Sequence, residues 1–95
     1  MEFQWNNEKN EKLKRERDIC FEDIVTAIYE EKLLDIIEHS NKDKYSNQKI
    51  YIVEFNGYVC LVPFVRNGDI IFLKTIYPDR KMTKKYLKNN DNRGE

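Results

Sequence analysis

Cysteine, histidine, glycine and proline are all scarce in this 95-residue chain, which holds two, one, three and two of them. Two cysteines, Cys20 and Cys60, are too few for a disulfide framework and read as buried thiols of a reducing compartment. A single histidine, with no cysteine pair at ligand spacing, excludes an ordinary zinc centre, so neither metal nor cofactor is expected. No apolar run approaches the roughly 20 residues a membrane helix needs. The first residues, Met1-Glu2-Phe3-Gln4-Trp5, lack the basic and apolar regions of a signal peptide. A cytoplasmic protein with no membrane partner is the expectation.

What is present is charge and aliphatic bulk, 36% and 40% of the residues when the aromatics are counted with the latter. That balance suits one small domain, expected over residues 1–88, with residues 89–95 as a disordered tail. The net charge of zero hides a polarised chain. Residues 19–48 carry seven acidic and three basic side chains, whereas residues 80–88 carry five basic and no acidic ones. The basic segment attracts phosphates and the acidic one basic partners.

Glu2 to Trp5 alternates as a short edge strand would. Asn6 is placed to cap a helix over Asn7–Arg17, a polar helix whose one clear apolar contact is Leu13 and which must lean on its surroundings. Phe21, Ile24, Val25 and Ile28 recur at the spacing of one buried helical stripe, with Glu22 and Asp23 favourably near its N-terminus. Leu33–Glu38 could continue that helix or form a strand, and the β-branched Ile36-Ile37 pair and the turn-rich run behind it favour the strand. His39 falls in an exposed loop.

Lys49–Phe55, Tyr58–Arg66 and Asp69–Tyr77 predict a three-stranded antiparallel meander. Asn56-Gly57 is the strongest kind of short hairpin signal, since a tight turn there needs two residues at positive φ. A second two-residue turn at Asn67-Gly68 conflicts with it. Backbone groups of the middle strand face the first strand at even positions, yet Arg66 would have to face the third. A three-residue loop, Arg66-Asn67-Gly68, resolves the conflict, and a bulge at Pro63 is the other solution, with some irregularity near Pro63 expected in either case. The three-residue loop puts Ile50, Ile52, Val59, Leu61, Ile71 and Leu73 on one aliphatic face, the expected seat of the second helix. It leaves Tyr51, Val53, Phe55, Tyr58, Val62, Phe64, Phe72 and Lys74 on an aromatic face able to stack bases, meet a partner or lie under a second layer.

Three motifs in this order resemble the BrnT family of bacterial type II toxins. They are Phe3-x-Trp5-Asn6-x-x-Lys9, Glu16-Arg17-Asp18-Ile19-Cys20-Phe21-Glu22-Asp23, and Arg80-Lys81-Met82-Thr83-Lys84-Lys85-Tyr86. The resemblance spans residues 3–86. It implies an α+β, RelE-like fold: two N-terminal helices on an antiparallel sheet containing the meander, closed by a short basic C-terminal helix. It also implies a metal-independent endoribonuclease that inhibits translation, and a cognate ribbon–helix–helix antitoxin whose dimer forms a heteromeric complex with the toxin. Lys9 matches the family's N-terminal lysine, Arg80-Lys81 its closing basic pair and Thr83 its threonine. The family's Lys-His-Gly is Glu16-Arg17-Asp18 here, its serine is Pro78, and its strand arginine falls at Thr75 beside Lys74.

Metal-free RNA cleavage needs a base for the 2′-OH, a cation for the phosphorane charge and an acid for the leaving oxygen. Lys74, Arg80 and Lys81, at and beyond the end of the last strand, are the catalytic candidates. Lys9, Lys12, Thr83, Lys84 and Lys85 are the candidates for contacting the RNA backbone. A non-catalytic module that only binds an antitoxin-like regulator is the alternative, motivated by the altered motif and Pro78.

Overall fold

The computed structural model describes residues 1–88. In order these form β1 (Glu2–Gln4), α1 (Asn7–Arg17), α2 (Phe21–Tyr29), β2 (Leu33–Glu38), β3 (Gln48–Phe55), β4 (Tyr58–Asn67), β5 (Ile70–Leu73), β6 (Tyr77–Pro78) and α3 (Arg80–Thr83). A wider, π-type helical turn over Lys84–Lys88 continues α3. The α+β class, the edge strand, both N-terminal helices and β2 stand where the sequence puts them. The expected tail, 89–95, lies outside the described residues.

Asn6 caps α1 as its side chain allows, with Oδ1 accepting from the Lys9 N–H at 2.8 Å. The helix leans on the domain through Leu13, Arg17 and the buried Asn10. Asn10 Oδ1 accepts from the Phe21 N–H at 2.7 Å, and its Nδ2 donates to Glu22 at 2.8 Å. One side chain of α1 therefore satisfies an orphan donor in the first turn of α2. The Asn10 hydrogen bond also holds the Glu22 carboxyl below its ordinary value. Trp5 stacks on Phe21 with ring centroids 5.6 Å apart, which fixes how the chain enters α1.

Both helices end in the left-handed region without glycine: Asp18 at φ 56° after α1, Glu31 at φ 64° after α2. Around Glu31 the Lys32 N–H donates to the Ala27 carbonyl at 2.8 Å and the Glu31 N–H to the Ile28 carbonyl at 3.1 Å, the paired bonds of a Schellman ending. A Cβ in this conformation costs about 1–2 kcal/mol, partly offset by the unfolded-state freedom glycine adds. Glu31→Gly and Asp18→Gly are each expected to raise stability by about 0.5–1 kcal/mol, seen as a higher urea midpoint at unchanged m-value.

The strands form one sheet in the order β1-β5-β4-β3-β2, with β6 also paired to β4. β1 runs parallel to β5, so the sheet is mixed rather than antiparallel throughout. The first hairpin turns at Asn56 (φ 55°) and Gly57 (φ 76°), as its sequence dictates. The second turn is not the expected three-residue loop. Asn67 pairs with Ile70, leaving Gly68-Asp69 as a two-residue turn with Gly68 at φ 63° in its first central position. Asn67 is odd-numbered and so already faces the third strand. Moving the turn one residue onward removes the parity conflict.

That one-residue shift also reverses the expected faces. Ile71 and Leu73 pair with Arg66 and Phe64, and so share a face with Tyr51, Val53, Cys60 and Val62. This mixed aromatic and aliphatic face seats α2 through Phe21, Ile24 and Ala27. Tyr51 and Phe64 stack within it, centroids 3.9 Å apart. The purely aliphatic face of Ile50, Ile52, Val59 and Leu61 is covered instead by Leu34, Ile37, Tyr77 and the C-terminal helix residues Met82, Tyr86 and Leu87. Both faces are thus core layers. Cys60 is buried among them, which raises its thiol to about 11, and both cysteines are free.

The irregularity near Pro63 is present. Leu73 stands opposite Phe64 and Tyr77 opposite Leu61, so Lys74, Thr75 and Ile76 face only Val62 and Pro63. The extra residue makes a bulge that ends β5, with the Lys74 N–H donating to the Pro63 carbonyl at 2.8 Å.

Candidate nucleic-acid interface

The bulge decides where Lys74 goes. It interrupts the regular pairing of residues 74–76 with β4, where α1 approaches them. Arg17 fixes that approach by donating to the Ile76 carbonyl at 2.9 Å, and Leu13 and Ile76 share the core. Lys9 and Lys12, three apart on α1, occupy one helix face. Together with Lys74 and the half-buried ring of Phe72 they line an open groove of about 590 Å³, with Asn6 and Glu8 completing the wall. A smaller cleft of about 120 Å³ continues along α1, lined by Lys9, Lys12, Leu13, Glu16, Arg17 and Thr75.

Lys74 extends over Phe72 with its Nζ 5.6 Å from the ring centroid, and both belong to the sheet face opposite α2. Lys74 therefore keeps its aromatic neighbour from the sequence reading, but not the Tyr51–Phe64 face to which it was assigned. Among the described residues no carboxylate ion-pairs with Lys9, Lys12 or Lys74; the one close pair is Lys42–Glu38 at 2.9 Å. Three unpaired ammonium groups around one aromatic ring can hold a phosphodiester chain and stack a base.

The C-terminal candidates are placed differently. Asp79 caps α3, its Oδ1 accepting from the Met82 N–H at 2.8 Å, and its N–H donates to the Val59 carbonyl at 3.0 Å. Lys74 bonds to β4 at Pro63 and Asp79 at Val59, a separation of about 13 Å along the strand. Arg80 and Lys81 are exposed on α3 beyond Asp79 and line neither groove that holds Lys9 and Lys12. The Thr83 hydroxyl donates to the Asp79 carbonyl at 2.7 Å and accepts from the Val59 N–H at 2.9 Å, stapling α3 to the sheet. Lys84 and Lys85 are exposed, with Lys85 Nζ 5.5 Å from the Tyr86 ring centroid. Tyr86 donates to Asp35 at 2.8 Å, which holds the Asp35 carboxyl down and the phenol up from their ordinary values. His39 lies tilted against Tyr45, ring centroids 4.3 Å apart, and its Nδ1 accepts from the Asn41 N–H, so it serves its own loop.

Sequence reasoning thus named three of the groove's cations. It did not place Glu8, Arg17 or Thr75 in the site; Glu8 and Arg17 lie near Lys9 and Lys12 along α1, whereas Thr75 joins them only through the fold. Among the described residues no cluster of histidine, cysteine and carboxylate could hold a metal ion. No helix among them is long and apolar enough to cross a membrane. No family model matches this sequence, and no curated protein matches it.

Proposed function

We propose that this protein binds RNA in the Lys9–Lys12–Lys74 groove and is a type II toxin endoribonuclease, similar to the BrnT family and neutralised by a ribbon–helix–helix antitoxin. The observation that carries the reading is the groove itself. Lysines from two distant parts of the chain meet there around Phe72, with no ion-paired carboxylate among the described residues. The two N-terminal helices, the meander and the basic C-terminal helix support a RelE-like fold. Asp18, which stands where the family has glycine, holds the left-handed conformation that glycine adopts without strain.

In this reading the lysines hold the phosphates and Phe72 stacks a base. Glu8, the carboxylate of the larger groove, accepts the 2′-OH proton. The 2′-oxygen attacks the adjacent phosphorus, the ammonium groups stabilise the charge that builds on its oxygens, and a lysine returns a proton to the departing 5′-oxygen. The products are a 2′,3′-cyclic phosphate and a 5′-hydroxyl, formed without metal.

The distance of Arg80 and Lys81 from Lys74 favours a second reading, a module that binds but does not cut. Incubation of antitoxin-free protein with RNA, with and without chelator, separates the two. The first predicts chelator-resistant cleavage that Glu8→Gln slows by about 10²–10⁴-fold while binding persists. No cleavage and no effect on translation would favour the second, a module that only binds an antitoxin-like regulator.

A further inference from the structure

The face that seats α2 is only partly covered by it. Beyond the C-terminal end of the helix lies a concavity of about 400 Å³, to which every strand from β1 to β5 contributes. Its deep end is Ile71, Phe64 and Tyr51, and its mouth is Met1, Leu33 and Ile36. Met1 and Ile36 are 71% and 48% exposed, and Tyr29, also 71% exposed, packs edge-on against Phe3 of the wall. Among the described residues these are three of the five exposed large hydrophobic side chains; Met1 and Ile36 line the concavity and Tyr29 lies beside its wall. An apolar rim around an apolar pit marks a place where another molecule sits.

Among the described residues the charged side chains that line this pit, Lys49 and Arg66, are both basic. Arg66 is oriented by its own turn, Nε donating to the Gly68 carbonyl at 3.0 Å, and its charge acts on the Tyr51 hydroxyl in the wall. Lys49 stands opposite Glu38 in the sheet register and adds to the lowering of that carboxyl, whose larger cause is Lys42 at 2.9 Å.

We infer that this trough docks an acidic amphipathic helix of a partner protein. Five strands at their usual spacing are about 19 Å across, the length of a helix of about 13 residues. A helix satisfies its own backbone and, lying beside α2, completes the layer on this sheet face. Its apolar side chains fill the pit and its carboxylates reach Lys49 and Arg66. The segment of this chain outside the described residues, 89–95, has no apolar side chain to offer. The inference is independent of the RNA groove, with which this concavity shares no lining residue.

The test uses a fluorescent, hydrocarbon-stapled helix of about 14 residues with leucines along one face and glutamates flanking them. A copy with lysine in place of each glutamate is the control, and binding is read by anisotropy. The acidic helix is expected to bind at least about 10-fold more tightly than the basic one. A K49E/R66E double variant should reverse the order. Ile36→Asp, at an exposed position that leaves the fold intact by circular dichroism, should weaken the acidic helix about 10-fold. Equal binding of the two helices, indifference to Ile36→Asp, or sedimentation of the protein alone as a dimer that excludes the helix would each overturn the inference.

Discussion

Phe21→Ala is expected to lower folding stability by about 3–5 kcal/mol. Phe21 is completely buried and opens α2 at the point where α1, α2 and the sheet meet. Its ring stacks on Trp5 and fills the core, while its backbone N–H is held by Asn10, so one residue joins the edge segment, the first helix and the core. Truncation leaves a cavity that the surrounding sheet is too rigid to close, and Trp5 loses its partner. A small domain holds about 5–15 kcal/mol in total, so the variant should be marginal at physiological temperature. Ile36→Ala, at a half-exposed position, should change stability by about 0.5 kcal/mol or less. Urea unfolding monitored by Trp5 fluorescence compares the two. A loss below about 1 kcal/mol for Phe21→Ala would mean that α2 does not anchor to the sheet as described.

The features legible in the sequence were those set by neighbours along the chain. Asn6 before a polar run, the Phe21-Ile24-Val25-Ile28 stripe, Ile36-Ile37 and Asn56-Gly57 each act through residues within a turn or two, and each formed what it promised. Gly68 was read correctly as a turn residue but placed at the wrong position of the turn. A glycine suits either of two adjacent frames, and what decides between them is the pairing of Arg66 with Ile71, a contact between strands. Because side chains alternate along a strand, that single residue carried Ile71 and Leu73 from one face to the other and α2 with them. Asn10 illustrates the same limit. As a polar residue on a polar helix it looks exposed, and only the approach of Phe21 and Glu22 turns it into a buried cap. At the candidate site, Lys9, Lys12 and Lys74 could be named because lysines near a strand end and on a helix face are visible as such. That the bulge at Pro63 would carry Lys74 toward α1 and leave Arg80 and Lys81 on α3 required the strand pairing.

Removing the three groove lysines, Lys9→Ala, Lys12→Ala and Lys74→Ala together, is expected to weaken binding of single-stranded RNA by about 100-fold at low salt, at up to about 1 kcal/mol for each exposed charge contact. The size of the loss alone would not separate a specific groove from a general fall in positive charge. The salt dependence does. Each phosphate neutralised on a single strand contributes about −0.7 to the slope of log affinity against log salt, so the triple variant should flatten the slope by about 2. All three side chains lie on the surface, on α1 and on the bulge, so the fold should be unchanged by circular dichroism and by urea unfolding. The Arg80→Ala/Lys81→Ala protein is the informative comparison, since it removes two cations from the same small domain but from outside the groove. If RNA follows the groove, this double variant keeps most of the slope, and a Phe72→Ala variant loses affinity without altering the slope, because a stacking platform releases no counterions. If instead the double variant flattens the slope as much as the triple, the RNA runs along α3 and the site belongs with Arg80 and Lys81. In that case Lys74 serves the bulge and its aromatic neighbour rather than a phosphate.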